Sequence, residues 1–175
     1  LLDFCYLVNP YFPPEKMKDE LRASFDILLP EYPSGMRVNS LLAAKNFNVA
    51  QANIIVGNGA AELIKSLMSI IEGKQGFIRP NLEDYTNRYS EEESVCFVPD
   101  NSDYSYTADD IIRYFDDKPI DNLIVINPDN PSGNYIPKAG LCTLIDWSRS
   151  KGIRLIIDES FADFSDEVGN TLIDY

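Results

Sequence analysis

From residue 53 onward, short apolar runs alternate with longer stretches whose apolar positions recur every three or four residues. The runs predict strands at 53–56, 76–79, 94–98, 121–126 and 153–157. The periodic stretches between them predict helices at 60–72, 83–92, 107–116 and 137–150. Such regular alternation points to an α/β fold of three layers, a mostly parallel sheet with helices on both faces.

The first fifty residues follow a different rule. Leu1 to Pro14 is rich in proline and aromatics (Asn9-Pro10-Tyr11-Phe12-Pro13-Pro14) and reads as an extended arm that cannot be helical through its prolines. Glu15 to Leu29 places Met17, Leu21, Phe25 and Leu28 on one helical face. Glu31-Tyr32-Pro33-Ser34-Gly35 is a turn, and Val38 to Phe47 predicts a second helix. The expected division is therefore an arm and first helix over 1–35, then a large domain over 36–175.

Composition narrows the partners. The chain has 175 residues, 45% of them hydrophobic, enough for one domain with a core. Fifteen basic residues against 28 acidic ones give a net charge of -13, which argues against nucleic acid or an anionic membrane as the main partner. There is no histidine, so Ser-His and Cys-His nucleophilic pairs and His-ligated metals are excluded within this chain. Cys5, Cys96 and Cys142 are odd in number and far apart; they read as small core residues of a reducing, cytoplasmic compartment. No apolar run reaches the length of a membrane span.

Three polar motifs each follow an apolar run. Asn53-Ile54-Ile55-Val56 leads into Gly57-Asn58-Gly59-Ala60-Ala61-Glu62, and Leu123-Ile124-Val125-Ile126 into Asn127-Pro128-Asp129-Asn130-Pro131-Ser132-Gly133. Leu155-Ile156-Ile157 leads into Asp158-Glu159-Ser160-Phe161. Loops at the carboxyl ends of strands are where α/β sheets bind ligands. A glycine-flanked turn into a helix directs free N–H groups and the positive dipole end at an anion, or it is a plain turn. Asn130 offers an amide to a ligand oxygen, or caps its own backbone. Asp158 offers a carboxylate to a protonated ring nitrogen, or caps a loop. An oxygen-only magnesium site built on Asp158, Glu159, Asp163 and Asp166 ranks below these, and no metal is expected. A dinucleotide fingerprint is not met, because Glu62 stands where its third glycine belongs.

Together and in this order, the motifs resemble the fold-type I aminotransferases dependent on pyridoxal 5'-phosphate, in the branch of histidinol-phosphate aminotransferase and threonine-phosphate decarboxylase. Gly57 to Ile64 is similar to G-N-G-S-x-E-L-I, Asn127 to Gly133 to N-P-N-N-P-T-G, and Ile156 to Phe164 to V-V-D-E-A-Y-x-x-F. Asp3-Phe4 with Asn9-Pro10 and Pro13-Pro14 is similar to the decarboxylase's opening segment, and Glu31-Tyr32-Pro33 to an R-Y-P turn. The resemblance implies that the amides of Gly59, Ala60 and Ala61 hold the cofactor phosphate. It implies that Tyr32 reaches the phosphate of a partner subunit in a homodimer, that Asn130 donates to the ring's phenolic oxygen, and that Asp158 pairs with the pyridinium nitrogen.

Departures from the family pattern fall at the substrate side. Leu82 occupies the place of an aromatic residue that stacks on the ring, so stacking becomes apolar contact unless Tyr85 substitutes. Phe161 stands where many members carry a tyrosine, a feature similar to the decarboxylase branch, and Leu7 replaces an asparagine. The family's S-x-S-K-x-x-G-x-x-R segment, which carries the catalytic Schiff-base lysine, is expected beyond Tyr175, so the 175 residues alone are expected to be inactive. The implied function is amino transfer between an amino acid and a keto acid. Two alternatives stay open: decarboxylation of the threonine-phosphate type, and a non-catalytic phosphate-binding or interaction module.

Overall fold

The computed structural model describes residues 9–173 and residue 175. Leu1 to Val8, with Cys5, Leu7 and the start of the arm, lie outside the described residues. The chain divides into two units, one up to Asn39 and one from Ser40 to Tyr175. In the first unit, helix α1 (Glu15–Leu28) begins directly after the Pro13-Pro14 pair, with Pro14 in extended conformation at its cap and Glu15 in the first turn. Helix α2 (Met36–Phe47) spans the division between the units.

The second unit holds the α/β pattern. Helix α3 (Ala60–Met68), strand β1 (Gln75–Ile78), helix α4 (Glu83–Thr86), strand β2 (Ser94–Phe97) and helix α5 (Ala108–Phe115) come first. Strand β3 (Asn122–Ile126), helix α6 (Lys138–Lys151) and strand β4 (Arg154–Asp158) complete it. The four strands form one parallel sheet in the order β2-β1-β3-β4. Every residue of β1 and β3 is buried, as parallel strands covered on both faces must be.

Successive strand residues point to opposite faces, and the core divides accordingly. Ile78, Leu123 and Val125 face α5 and α6, where Ile111, Phe115, Leu141 and Leu144 close one cluster. Phe77, Ile124 and Ile126 face α3 and α4, where Ile64, Met68 and Tyr85 close the other. The sheet is thus sandwiched between two helical layers. Helix α5 is fixed by a full capping box in which Thr107 and Asp110 exchange side chain and backbone hydrogen bonds. Gly152 ends α6 in the left-handed region at φ 70°, and β4 starts two residues later.

Three elements differ from the sequence expectation. The predicted strand at 53–56 is absent: Gln51–Asn53 is a 3-10 turn, and Ile54 to Val56 has no strand partner among the described residues. A strand exists only through a neighbour's hydrogen bonds, and apolar character alone supplies none. The helix expected to reach 72 stops at Met68, where Ser69 caps it and Ser69 Oγ bonds back to the Ser66 carbonyl. The helix expected over 83–92 is a single turn ending at Thr86, followed by a Ser90–Glu93 side chain cap.

Candidate active site

The sheet's carboxyl edge carries two of the polar motifs, those following β3 and ending β4. Ile126 pairs with Asp158 in the β3–β4 register, so the loop after β3 and the acid ending β4 start at the same level. Each motif is built differently.

At the start of α3, Gly59 adopts φ 93° and ψ 165°, a conformation essentially reserved for glycine. No side chain caps this helix, and Ala60 and Ala61 are exposed. Glu62 reaches back instead to accept from the Asn58 backbone N–H at 2.5 Å, tying the turn to the helix that follows. The N–H groups of the first turn therefore sit at a positive dipole end without an internal acceptor from the cap.

The loop after β3 is held from inside. Buried Asn127 donates through Nδ2 to the Ile136 carbonyl (3.0 Å) and accepts through Oδ1 from the Ile136 N–H (2.8 Å), closing the loop over residues 128–135. Asn134 exchanges two bonds with the backbone of Tyr106, and Ser132 donates its hydroxyl to Asp129. Burial holds the Asp129 carboxyl above its usual range, against the opposing hydrogen bonds of Ser132, the Asn130 backbone and Tyr106. Asn130 rides half-buried on this frame. Asn127 and Asp129 are thus scaffold, and the loop's free amide is that of Asn130.

Asp158 is the most closely engaged of the three. Its Oδ2 accepts from the Tyr85 hydroxyl at 2.7 Å, across 73 residues of sequence. Its Oδ1 accepts from both the backbone N–H (2.9 Å) and the hydroxyl (2.5 Å) of Ser160. Tyr85 is buried, and burial, followed by the bond to Asp158, pushes its phenol far above the ordinary value. It stays a protonated donor at any working pH. Glu159 turns away to hold the Thr171 hydroxyl and the Leu172 N–H.

Ala60, Tyr85, Asp158 and Ser160 line one cavity of about 510 Å³, whose apolar wall includes Ile64 and Ile156. The volume lies in the range of small-molecule sites. A helix N-terminus and a fixed carboxylate on one apolar cavity suit a ligand with an anionic group at one end and a cationic ring nitrogen at the other. Leu82, Asn130 and Phe161 are not part of this wall. Leu82 and Phe161 pack against the Phe77–Tyr85–Ile124 cluster, and Phe161 also contacts Phe164 at 6.3 Å between ring centroids. Tyr32 lies in the N-terminal unit and is 96% exposed. Ser160 carries no role in the sequence reading, although a hydroxyl two residues after an aspartate is a recognisable turn signal.

The sequence pattern of aminotransferase class I and II matches residues 37–171. The chain belongs to this family. The class I and II aminotransferases and their structural neighbours depend on pyridoxal phosphate, and the residues around the cavity fit that cofactor's two charged ends. The aminotransferase-family chain is 32% identical over 176 residues to L-serine phosphate decarboxylase of Sulfurospirillum multivorans, covering 95% of this chain and 44% of the relative. It superposes on the structure of a decarboxylase from Sulfurospirillum multivorans with a TM-score of 0.78 at 30% identity, covering 97% of this chain and 47% of that one. On the histidinol-phosphate aminotransferase of Clostridium acetobutylicum the TM-score is 0.74 at 25% identity, covering 99% and 52%. The chain thus spans less than half the length of the curated relative it matches.

Proposed function

We propose that the intact protein is a pyridoxal-phosphate-dependent decarboxylase acting on an amino acid with a phosphorylated side chain. The observation that carries this reading over amino transfer is Phe161. It puts an apolar ring into the core cluster where many aminotransferases of this branch carry a tyrosine hydroxyl. The likeness to an L-serine phosphate decarboxylase supports the same choice. Pyridoxal phosphate, when bound, supplies an electron sink for the bond broken at the substrate's α-carbon.

The chain's own residues have five tasks in this reading. The N–H groups of Gly59, Ala60 and Ala61 bind the cofactor phosphate at the α3 dipole end. Asp158 holds the proton on the ring nitrogen by a charge-assisted hydrogen bond. Asn130 donates its amide to the ring's phenolic oxygen. Leu82 supplies apolar contact in the place of an aromatic stack. Tyr32 reaches a partner subunit's phosphate in a homodimer.

The net reaction releases carbon dioxide and replaces the carboxylate by a proton, leaving a phosphorylated amine and no keto acid. The test incubates the intact protein with pyridoxal phosphate and O-phosphoserine or O-phosphothreonine, with and without a keto acid, and follows products by mass spectrometry. Amine and carbon dioxide without keto acid dependence are expected. Amino transfer to the added keto acid, without carbon dioxide, would establish the second reading, which the likeness to histidinol-phosphate aminotransferase favours.

A further inference from the structure

We infer that Ser160 and Tyr85 are positioning residues that fix the Asp158 carboxylate so that Oδ2 alone is left to meet the cofactor's ring nitrogen. This rests on the proposed pairing of Asp158 with that nitrogen. An ionised carboxylate has about four lone-pair sites. Ser160 fills both on Oδ1, one with its N–H and one with its hydroxyl. Tyr85 fills one on Oδ2. One site remains.

The two donors arrive from opposite supports. Tyr85 comes from the one-turn helix α4 and is anchored in the buried cluster with Phe77 and Ile124, so its hydroxyl cannot withdraw without disturbing the core. Ser160 comes from the exposed loop after β4, where its N–H and O–H converge on one oxygen. Rotation of the carboxylate would break three hydrogen bonds at once. Phenol burial keeps Tyr85 a donor throughout the physiological range. The alanine of the V-V-D-E-A-Y-x-x-F pattern has no hydroxyl to contribute, so the Ser160 O–H bond is an addition of this chain. It accompanies Leu82 at the stacking position. A ring held less by an aromatic face depends more on the contact at its nitrogen.

The experiment measures the affinity of the intact protein for pyridoxal phosphate and for its 1-deaza analogue, in which a C–H replaces the ring nitrogen. The ratio isolates the nitrogen contact, and the analogue's affinity reports whether the fold is intact. Asp158→Ala is expected to abolish the preference for pyridoxal phosphate; if it does not, the pairing of Asp158 with the ring fails, and with it this inference. Tyr85→Phe and Ser160→Ala are each expected to lower the preference about threefold to tenfold, the worth of one net hydrogen bond, with affinity for the analogue unchanged. A preference lost in Asp158→Ala but unchanged or increased in both single-hydroxyl variants would overturn the positioning role and leave the Asp158 pairing standing. Ser160 is exposed, so its variant keeps the test decisive even where Tyr85→Phe loosens the core.

Discussion

Gly59 shows how much of the site rests on single-residue conformation. At φ 93° and ψ 165° its backbone occupies a region closed to side-chain-bearing residues, yet a Cβ there would meet no atom within 4 Å. The cost of Gly59→Ala is therefore backbone strain alone, about 1–3 kcal/mol. Denaturant unfolding is expected to show that loss, and equilibrium dialysis weaker binding of pyridoxal phosphate; an unchanged midpoint would mean that the turn relaxes freely. Asp129 carries a second residue-scale prediction. Its folded-state pKa is raised above 3.8 by burial, so the native state takes up this proton more readily than the unfolded chain. Its stabilising contribution is full below the unfolded value and is lost as pH rises through the raised one. Asp129→Asn removes that loss, so unfolding free energies should shift in the variant's favour as pH rises above the ordinary carboxylate range. A difference constant with pH would contradict this. Asp110 has the opposite sign. Its pKa is lowered, first by the Thr107 hydroxyl, so its contribution is present at neutral pH and disappears as pH falls through the lowered value.

Among the elements, α5 and the unformed strand at 54–56 mark what the sequence could and could not say. Thr107 followed three residues later by an acid is a local signal, and the capping box is there. Thr107→Ala is expected to cost about 1 kcal/mol in thermal or denaturant unfolding, since the Asp110 N–H loses its acceptor and the Asp110 carboxylate loses the Thr107 hydroxyl as a donor. A neutral result would place the helix's stability wholly in its buried face. Strands β1 to β4 are each found within two residues of the expected runs, most plainly β3, whose fully buried Leu123-Ile124-Val125-Ile126 is an unbroken apolar stretch. Ile54-Ile55-Val56 carries the same writing but has no pairing partner among the described residues, and Ile55 is 78% exposed. The sequence also located Asp158 and Tyr85 separately. Tyr85 enters that reading only as a substitute for the stacking ring, because a bond between residues 73 positions apart leaves no trace in local periodicity. Ser160 is legible locally only as a turn residue, a hydroxyl two positions after an aspartate.

Over the molecule, the sheet has a protected interior and an open side. β1 and β3 pair on both sides, whereas β2 and β4 each pair with one neighbour among the described residues. Yet β4 carries Leu155, Ile156 and Ile157, which are only half-buried, on the side where Asp158 and the cavity lie. Amide hydrogen exchange on this chain should therefore be slowest in β1 and β3 and measurably faster in β4. Equal protection of β4 would show that its outer edge is covered in solution. In the N-terminal unit, the α1 face formed by Met17, Leu21, Phe25 and Leu28 is helical as expected but exposed.

The measurement that bears most directly on the account is a crystal structure of the intact protein with pyridoxal phosphate bound. The account predicts the phosphate on the N–H groups of Gly59, Ala60 and Ala61, and the ring nitrogen within hydrogen-bond reach of Asp158 Oδ2. A cofactor seated elsewhere, or a ring nitrogen turned away from Asp158, would contradict it.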